Sequence, residues 1–224
     1  MLALTIWSGY VLCFNKTQKS YIVPNYNIRY MTKPQKSNLK SDLFIESARQ
    51  RIAEVLFKHP DKEFSLSDLA IEAKVKKSNI GRILNAYQEI GFIHIEKLSK
   101  IWRIKANQSS KIYLNNKVAY NLHSILSRKL TDFIRDKYNN PKSIILFGSY
   151  RNGDDISTSD IDIAVESDDL NEYKIINLKE LASHEAALGR KIQLHLFNRR
   201  NIDVNLFNNI ANGIVLWGFL EVRP

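Results

Sequence analysis

Gly148-Ser149-Tyr150-Arg151-Asn152-Gly153-Asp154-Asp155-Ile156-Ser157-Thr158-Ser159-Asp160-Ile161-Asp162 is the stretch that decides how this 224-residue chain is read. A Gly-Ser pair closes the apolar run Ser143-Ile144-Ile145-Leu146-Phe147. A polar loop follows, and Asp-Ile-Asp opens a second apolar run. Successive side chains of a strand alternate between faces, so the spacing puts the carboxylates of Asp160 and Asp162 on one face. Ile161, Ile163 and Val165 then point to the other face, where they can be buried. Two carboxylates side by side on a rigid strand suit one or two Mg²⁺ (or Mn²⁺) ions that also touch phosphate oxygens. A small Gly-Ser turn offers backbone N–H groups and a hydroxyl to a phosphate.

Gly-Ser, ten residues, Asp-x-Asp resembles the signature of the DNA polymerase β-like nucleotidyltransferases, and looks closest to their minimal nucleotidyltransferase branch. The resemblance runs from about Ser143 to the C-terminus. It implies that Gly148 and Ser149 hold the β- and γ-phosphates of a nucleoside triphosphate, with ATP the expected substrate. It implies that Asp160 and Asp162 hold Mg²⁺ while an acceptor hydroxyl attacks the α-phosphate and pyrophosphate leaves. A glycine turn with solvated aspartates explains each half of the pattern alone but explains the combination poorly.

The resemblance also implies a third carboxylate on a neighbouring strand, and there this sequence departs from the pattern. The candidate strand is Lys191-Ile192-Gln193-Leu194-His195-Leu196-Phe197, with Gln193 and His195 sharing the face opposite Ile192, Leu194 and Leu196. An amide ligates metal weakly and cannot act as a base at neutral pH. His195 can serve as a base, or it is an edge or core histidine with a hydrogen-bond partner. Asp154 and Asp155 either supply the missing carboxylate from the loop or are solvated turn residues beside Gly153.

Working outward, 224 residues hold one large or two small domains. The hydrophobic share of 44% and charged share of 25% are those of a globular protein. A single cysteine, Cys13, excludes an internal disulfide and a multi-cysteine zinc site and fits a reducing cytoplasm. Residues 1–14 are apolar but lack a basic start and are too short to cross a bilayer, so no membrane partner is expected. Met31-Thr32-Lys33-Pro34-Gln35-Lys36 has the character of a hydrophilic start. Residues 1–40 are therefore expected to be an extension, disordered or upstream of the natural start. The net charge of +10 is uneven: residues 1–117 hold 20 Lys/Arg against 9 Asp/Glu, and residues 118–224 hold 13 against 14. That asymmetry suggests a front end that meets a polyanion.

In residues 41–58, Leu43, Phe44, Ala48, Ile52, Val55 and Leu56 recur at helical spacing, and His59-Pro60 ends the run. Ser65 and Asp68 form a helix-start box, with Leu66, Leu69, Ala70 and Ala73 as the apolar stripe. Ser78 is the expected cap of a third helix ending near Gly91. Two short strands follow around a Leu98-Ser99-Lys100 turn. Three helices and a hairpin resemble a winged helix-turn-helix, which places the third helix in a DNA major groove. Lys76, Lys77, Asn79 and Arg82 on that helix, and Lys97, Lys100, Arg103 and Lys105 on the wing, are the candidate DNA contacts. A charged solvent face on a protein-docking domain is the other reading.

Residues 106–117 read as a polar linker and residues 118–138 as one long amphipathic helix. A further helix is expected over residues 170–188, another over residues 204–212, and a closing strand over residues 214–218. The expected fold is α+β: an N-terminal winged helix-turn-helix domain (41–105), then a small mixed-sheet nucleotidyltransferase α/β domain with its leading helix (118–224). The expected function is metal-dependent transfer of a nucleoside monophosphate, AMP foremost, to a hydroxyl of a protein or other partner. The minimal branch implies a paired helical, toxin-like protein as that partner, a prokaryotic cytoplasmic setting and an autoregulating antitoxin; a dimer fits DNA binding. The alternative is a DNA-binding regulator whose transferase domain is impaired at Gln193.

Overall fold

The computed structural model describes residues 5–7, 10–14, 20–24, 47–98 and 101–222. The chain divides into two units, residues 1–42 and 43–224. In the first, β1 (Thr5–Trp7), β2 (Tyr10–Phe14) and β3 (Ser20–Pro24) form an antiparallel sheet in that order. Met31 and the start expected there lie outside the described residues.

The second unit opens with three helices. In α1 (Ala48–Lys58), Ser47 accepts the N–H of Gln50 at 3.1 Å, and Ile52, Val55, Leu56 and Phe57 turn inward. In α2 (Leu66–Glu72), Ser65 accepts the N–H of Asp68 at 3.1 Å, the capping half of the expected box, while the Asp68 carboxylate accepts the Ser65 hydroxyl at 2.8 Å. The third helix, α3 (Lys77–Glu89), starts one residue before the expected cap Ser78. Lys74 adopts a left-handed φ of 52° and the N–H of Val75 returns to the carbonyl of Ala70, which ends the turn early. Next, β4 (Ile93–Leu98) and β5 (Ile101–Ala106) pair in register as an antiparallel hairpin. Phe64 bridges to Ile104, and one apolar core joins the helices to the hairpin.

The expected linker is corrected by the structure. Residues 111–116 are the opening turns of α4 (Lys111–Ser127), preceded only by a short turn around Asn107. The reason is burial: Tyr113 is 0% exposed, and its hydroxyl donates to the carbonyl of Leu56 at 2.9 Å. The single long helix expected over residues 118–138 is also two. Lys129 takes φ 56°, and α5 (Leu130–Lys137) starts after it.

The remaining elements make a five-stranded mixed sheet. They are β6 (Ser143–Phe147), the short α6 (Gly148–Asn152), β7 (Ile161–Glu166), β8 (Lys174–Ile176), α7 (Ala182–Leu188), β9 (Ile192–Phe197), α8 (Val204–Ala211) and β10 (Ile214–Gly218). The strand order is β10-β6-β7-β9-β8, with β7 and β9 parallel and the other pairs antiparallel. All of β6 is buried, which explains its uninterrupted apolar run. The helix expected over residues 170–188 is wrong in its first half. Ile175 and Ile176 are β-branched and pair with His195 and Leu194 as an edge strand, and α7 begins only after a 3-10 turn at Lys179–Leu181.

Candidate active site

Parallel pairing of β7 with β9 sets Asp162 opposite Gln193 and Ala164 opposite His195. Asp160 is the residue just before β7. The Gln193 amide donates to Oδ2 of Asp160 at 2.5 Å, and Nε2 of His195 lies 3.2 Å from Oδ1 of Asp162. The two carboxylates therefore share a face, and each is held by a neutral-capable side chain of β9. Both aspartates are half-buried. Among the described residues neither has a Lys or Arg partner.

The Gly-Ser turn meets this pair directly. Gly148 has φ 72°, and a Cβ placed there would collide with Oδ2 of Asp162. Only glycine allows that approach. Ser149 follows on α6, half-buried, and its hydroxyl has no hydrogen bond among the described residues. The structure thus brings together Gly148, Asp160, Asp162, Gln193 and His195, with Ser149 beside them in the turn. The donor set fits a divalent cation, because Mg²⁺ takes one or two carboxylates and completes its shell with water and substrate phosphate. Among the described residues no cluster of three acidic, histidine or cysteine side chains is set to cage a metal.

His195 is 7% exposed and bonded on both sides: Nδ1 lies 2.6 Å from the hydroxyl of Tyr173. Phe147 packs edge-on against its ring at 4.9 Å. Sequence reasoning missed Tyr173, because the segment around it was read as helix. Its signal was the Ile175-Ile176 pair that makes β8 a strand.

Asp154 is exposed, but Asp155 is not the solvated turn residue expected. It is 1% exposed and lies in a network of its own. Its Oδ1 lies 3.0 Å from Nζ of Lys117 and 3.0 Å from the Asn121 amide nitrogen, and its Oδ2 lies 3.4 Å from Arg190. Burial pushes the Lys117 ammonium pKa down, and the Asp155 charge draws it partly back. Arg190 also donates to the carbonyl of Lys58 at 3.0 Å. The network ties the loop between Ser149 and Asp160 to α4 and to the end of α1.

The surface hollow of about 780 Å³ around Glu166, Arg199 and Phe207 lies at the opposite end of β7 from the aspartates. Two of its three cations are engaged locally: Arg199 with Glu166 and Glu221, Lys142 with Asp168.

On the helical half, Lys76, Lys77, Asn79 and Arg82 are exposed at the start and outer face of α3, and among the described residues none is in an ion pair. On the hairpin, Nζ of Lys97 sits 4.3 Å from the centre of the Trp102 ring. Arg103 is held by Glu63 at 2.5 Å and Glu96 at 3.2 Å, so its charge is neutralised within the protein. Lys100 lies outside the described residues.

A mixed sheet that sets a Gly-Ser turn against paired aspartates defines a nucleotidyltransferase. Residues 128–218 match the family described as polymerase beta, nucleotidyltransferase. A Methanocaldococcus jannaschii protein named as a protein adenylyltransferase is 44% identical over 68 residues, which are 30% of this chain and 67% of that one. The chain belongs to the polymerase β nucleotidyltransferase family. A heme sensor protein of Streptococcus agalactiae, PefR in complex with heme, aligns over 42% of this chain and 73% of its own at 21% identity. Its TM-score of 0.25 carries no argument about fold. No described helix is long and apolar enough to cross a membrane.

Proposed function

We propose that the chain transfers a nucleoside monophosphate, AMP from ATP foremost, to a hydroxyl on a partner protein. The observation that carries this reading is the close approach of the Asp162 carboxylate, near Asp160, to Gly148, where a Cβ would collide with it. Gly148 and Ser149 bind the β- and γ-phosphates, so that the α-phosphate comes to rest by the aspartates. Asp160 and Asp162 would hold a Mg²⁺ or Mn²⁺ ion, which would supply positive charge against the phosphate oxygens and the leaving pyrophosphate. Gln193 and His195 fix the rotamers of the two carboxylates before substrate arrives. The name of the M. jannaschii relative supports a protein as acceptor and adenylate as the group moved. A small helical toxin-like protein in a prokaryotic cytoplasm is the partner we propose.

The helical half we read as a winged helix-turn-helix that binds DNA through α3, with Lys76, Lys77, Asn79 and Arg82 as contacts. DNA binding beside a transferase fits a protein that controls its own expression. A second reading rests on β9. Gln193 and His195 replace an acid by two hydrogen-bonding side chains, which favours a regulator that binds nucleotide without turnover.

Incubation with α-labelled nucleotides, Mg²⁺ or Mn²⁺ and candidate partner proteins separates the two. The first reading expects label on protein from the wild type, and at least about 100-fold less from Asp160→Asn. No label with any of the four nucleotides would leave the regulator reading.

A further inference from the structure

We infer that Asp61, in the turn between α1 and α2, is a positioning residue of the transferase site: it holds in place the loop that presents Asp160. The inference rests on the transfer reading above and adds to it a residue from the helical half.

Residues 153–160 join the Gly-Ser turn to β7 and form neither helix nor strand. Such a segment keeps one shape only where its polar groups are tied down. Its first tie is the buried Asp155, bonded to Lys117, Asn121 and Arg190. Beyond it the chain closes on itself. The N–H of Ile156 donates to the Ser159 hydroxyl at 2.9 Å, and the N–H of Ser159 to the carbonyl of Ile156 at 3.0 Å. That closed turn leads straight into Asp160. Asp61 grips it from outside: its Oδ1 accepts the N–H of Ser157 at 3.0 Å and also the Ser157 hydroxyl. Among the described residues, these are the only hydrogen bonds that leave the loop between Asp155 and Asp160.

Asp61 is itself firmly placed. Helix α1 stops at Lys58, and Pro60 is buried. The Gln108 amide donates to the carbonyl of Pro60 at 2.8 Å, and the N–H of Lys62 to the carbonyl of His59 at 3.2 Å. Arg190 donates to the carbonyl of Lys58 at 3.0 Å and lies 3.4 Å from Asp155, so the end of α1 meets the loop at a second point. The hydroxyl bond from Ser157, more than the charge of Arg190, holds the Asp61 carboxyl below its ordinary pKa. Asp61 is therefore an ionised acceptor at neutral pH.

Both partners sit near the surface, Asp61 exposed and Ser157 half-buried. Hydrogen bonds in that setting add little to global stability. Their effect is local: they fix where the turn ends, and hence where the Asp160 carboxylate meets the Gln193 amide. Asp61 lies outside residues 128–218, so the stretch that matches the family does not contain it. The helical half completes the site.

The test uses the full chain and the variants Asp61→Ala, Asp61→Asn, Ser157→Ala and the double Asp61→Ala with Ser157→Ala. Mn²⁺ binding is followed by electron paramagnetic resonance with α,β-methylene-ATP, an analogue that cannot release pyrophosphate. Label transfer and thermal melting are measured on the same preparations. Asp61→Ala should raise the Mn²⁺ concentration for half-saturation at least about 10-fold and slow transfer by a similar factor. Its melting temperature should fall by no more than about 2–4 °C. Asp61→Asn keeps an oxygen acceptor for both donors and should restore most of the metal affinity. The double variant should bind no more weakly than Asp61→Ala alone, because the two residues act through one contact. An Asp61→Ala protein that binds Mn²⁺ as the wild type does overturns the inference and leaves the transfer reading intact. So does a large drop in melting temperature that Asp61→Asn does not recover, which marks a merely structural role. A wild type that binds Mn²⁺ with the analogue but labels nothing sinks the transfer reading alone, and the Mn²⁺ affinities still decide on Asp61. A wild type that binds neither sinks both.

Discussion

Gly148 shows how one missing side chain can govern a site. Its left-handed φ and the carboxylate of Asp162 both exclude a Cβ. Gly148→Ala should keep the fold but push Asp162 away from its place, lowering nucleotide transfer about 100-fold while the melting temperature falls by only about 2–4 °C. The label assay and a thermal scan check both halves of that expectation. Asp160, Asp162, Gly148 and Ser149 were legible in the sequence because their chemistry depends on residue type and spacing alone. The partners of His195 were not. Tyr173 comes from a strand whose pairing is non-local, and no periodicity of its own segment pointed to it. Asp155 was misread for a related reason: its burial depends on Lys117, Asn121 and Arg190, which are distant in sequence and gather only when α4 docks.

At the scale of elements, two contacts fix the pieces that present the site. Lys117 on α4 is 0% exposed against Asp155. Lys117→Met should cost about 3 kcal/mol in a urea titration, because it removes the ammonium and leaves a buried carboxylate with fewer partners. Glu185 on α7 accepts the N–H of Ile192 at 3.0 Å and faces Lys191 at 3.1 Å, pinning α7 to the start of the strand that carries Gln193. The bond from Ile192, then Lys191, holds the Glu185 pKa below its ordinary value of 4.5. A lowered carboxylate pKa adds stability above the unfolded value and loses it as pH falls through the folded one. The urea midpoint of Glu185→Gln should therefore trail the wild type at pH 6, with the gap narrowing as pH drops below about 4.5. The apolar helices of the front half were readable from their spacing. The break at Lys129 and the strand β8 were not, because a positive φ and an edge pairing leave little local pattern.

The whole molecule combines a basic front half with a near-neutral transferase half. If α3 meets phosphates, Lys77→Ala with Arg82→Ala should weaken DNA binding across all sequences and flatten the logarithmic salt slope by about 2. A salt-titrated gel shift reads that slope, and an unchanged slope would move the contact elsewhere. The sequence set a basic front half apart from the transferase half but placed a tether between them, since the polar residues 106–117 have no apolar stripe to betray a helix. In the structure α4 belongs to both halves: Tyr113 bonds to α1, while Lys117 and Asn121 bond to the loop that precedes Asp160.

Dissection at that presumed tether would accordingly do damage. A fragment begun at residue 118 would lack the ammonium that meets Asp155 and would leave that carboxylate with fewer partners. Such a piece should precipitate or bind nucleotide poorly for reasons unrelated to chemistry. Cuts that spare α4 from its first turn are the ones that would yield a working half.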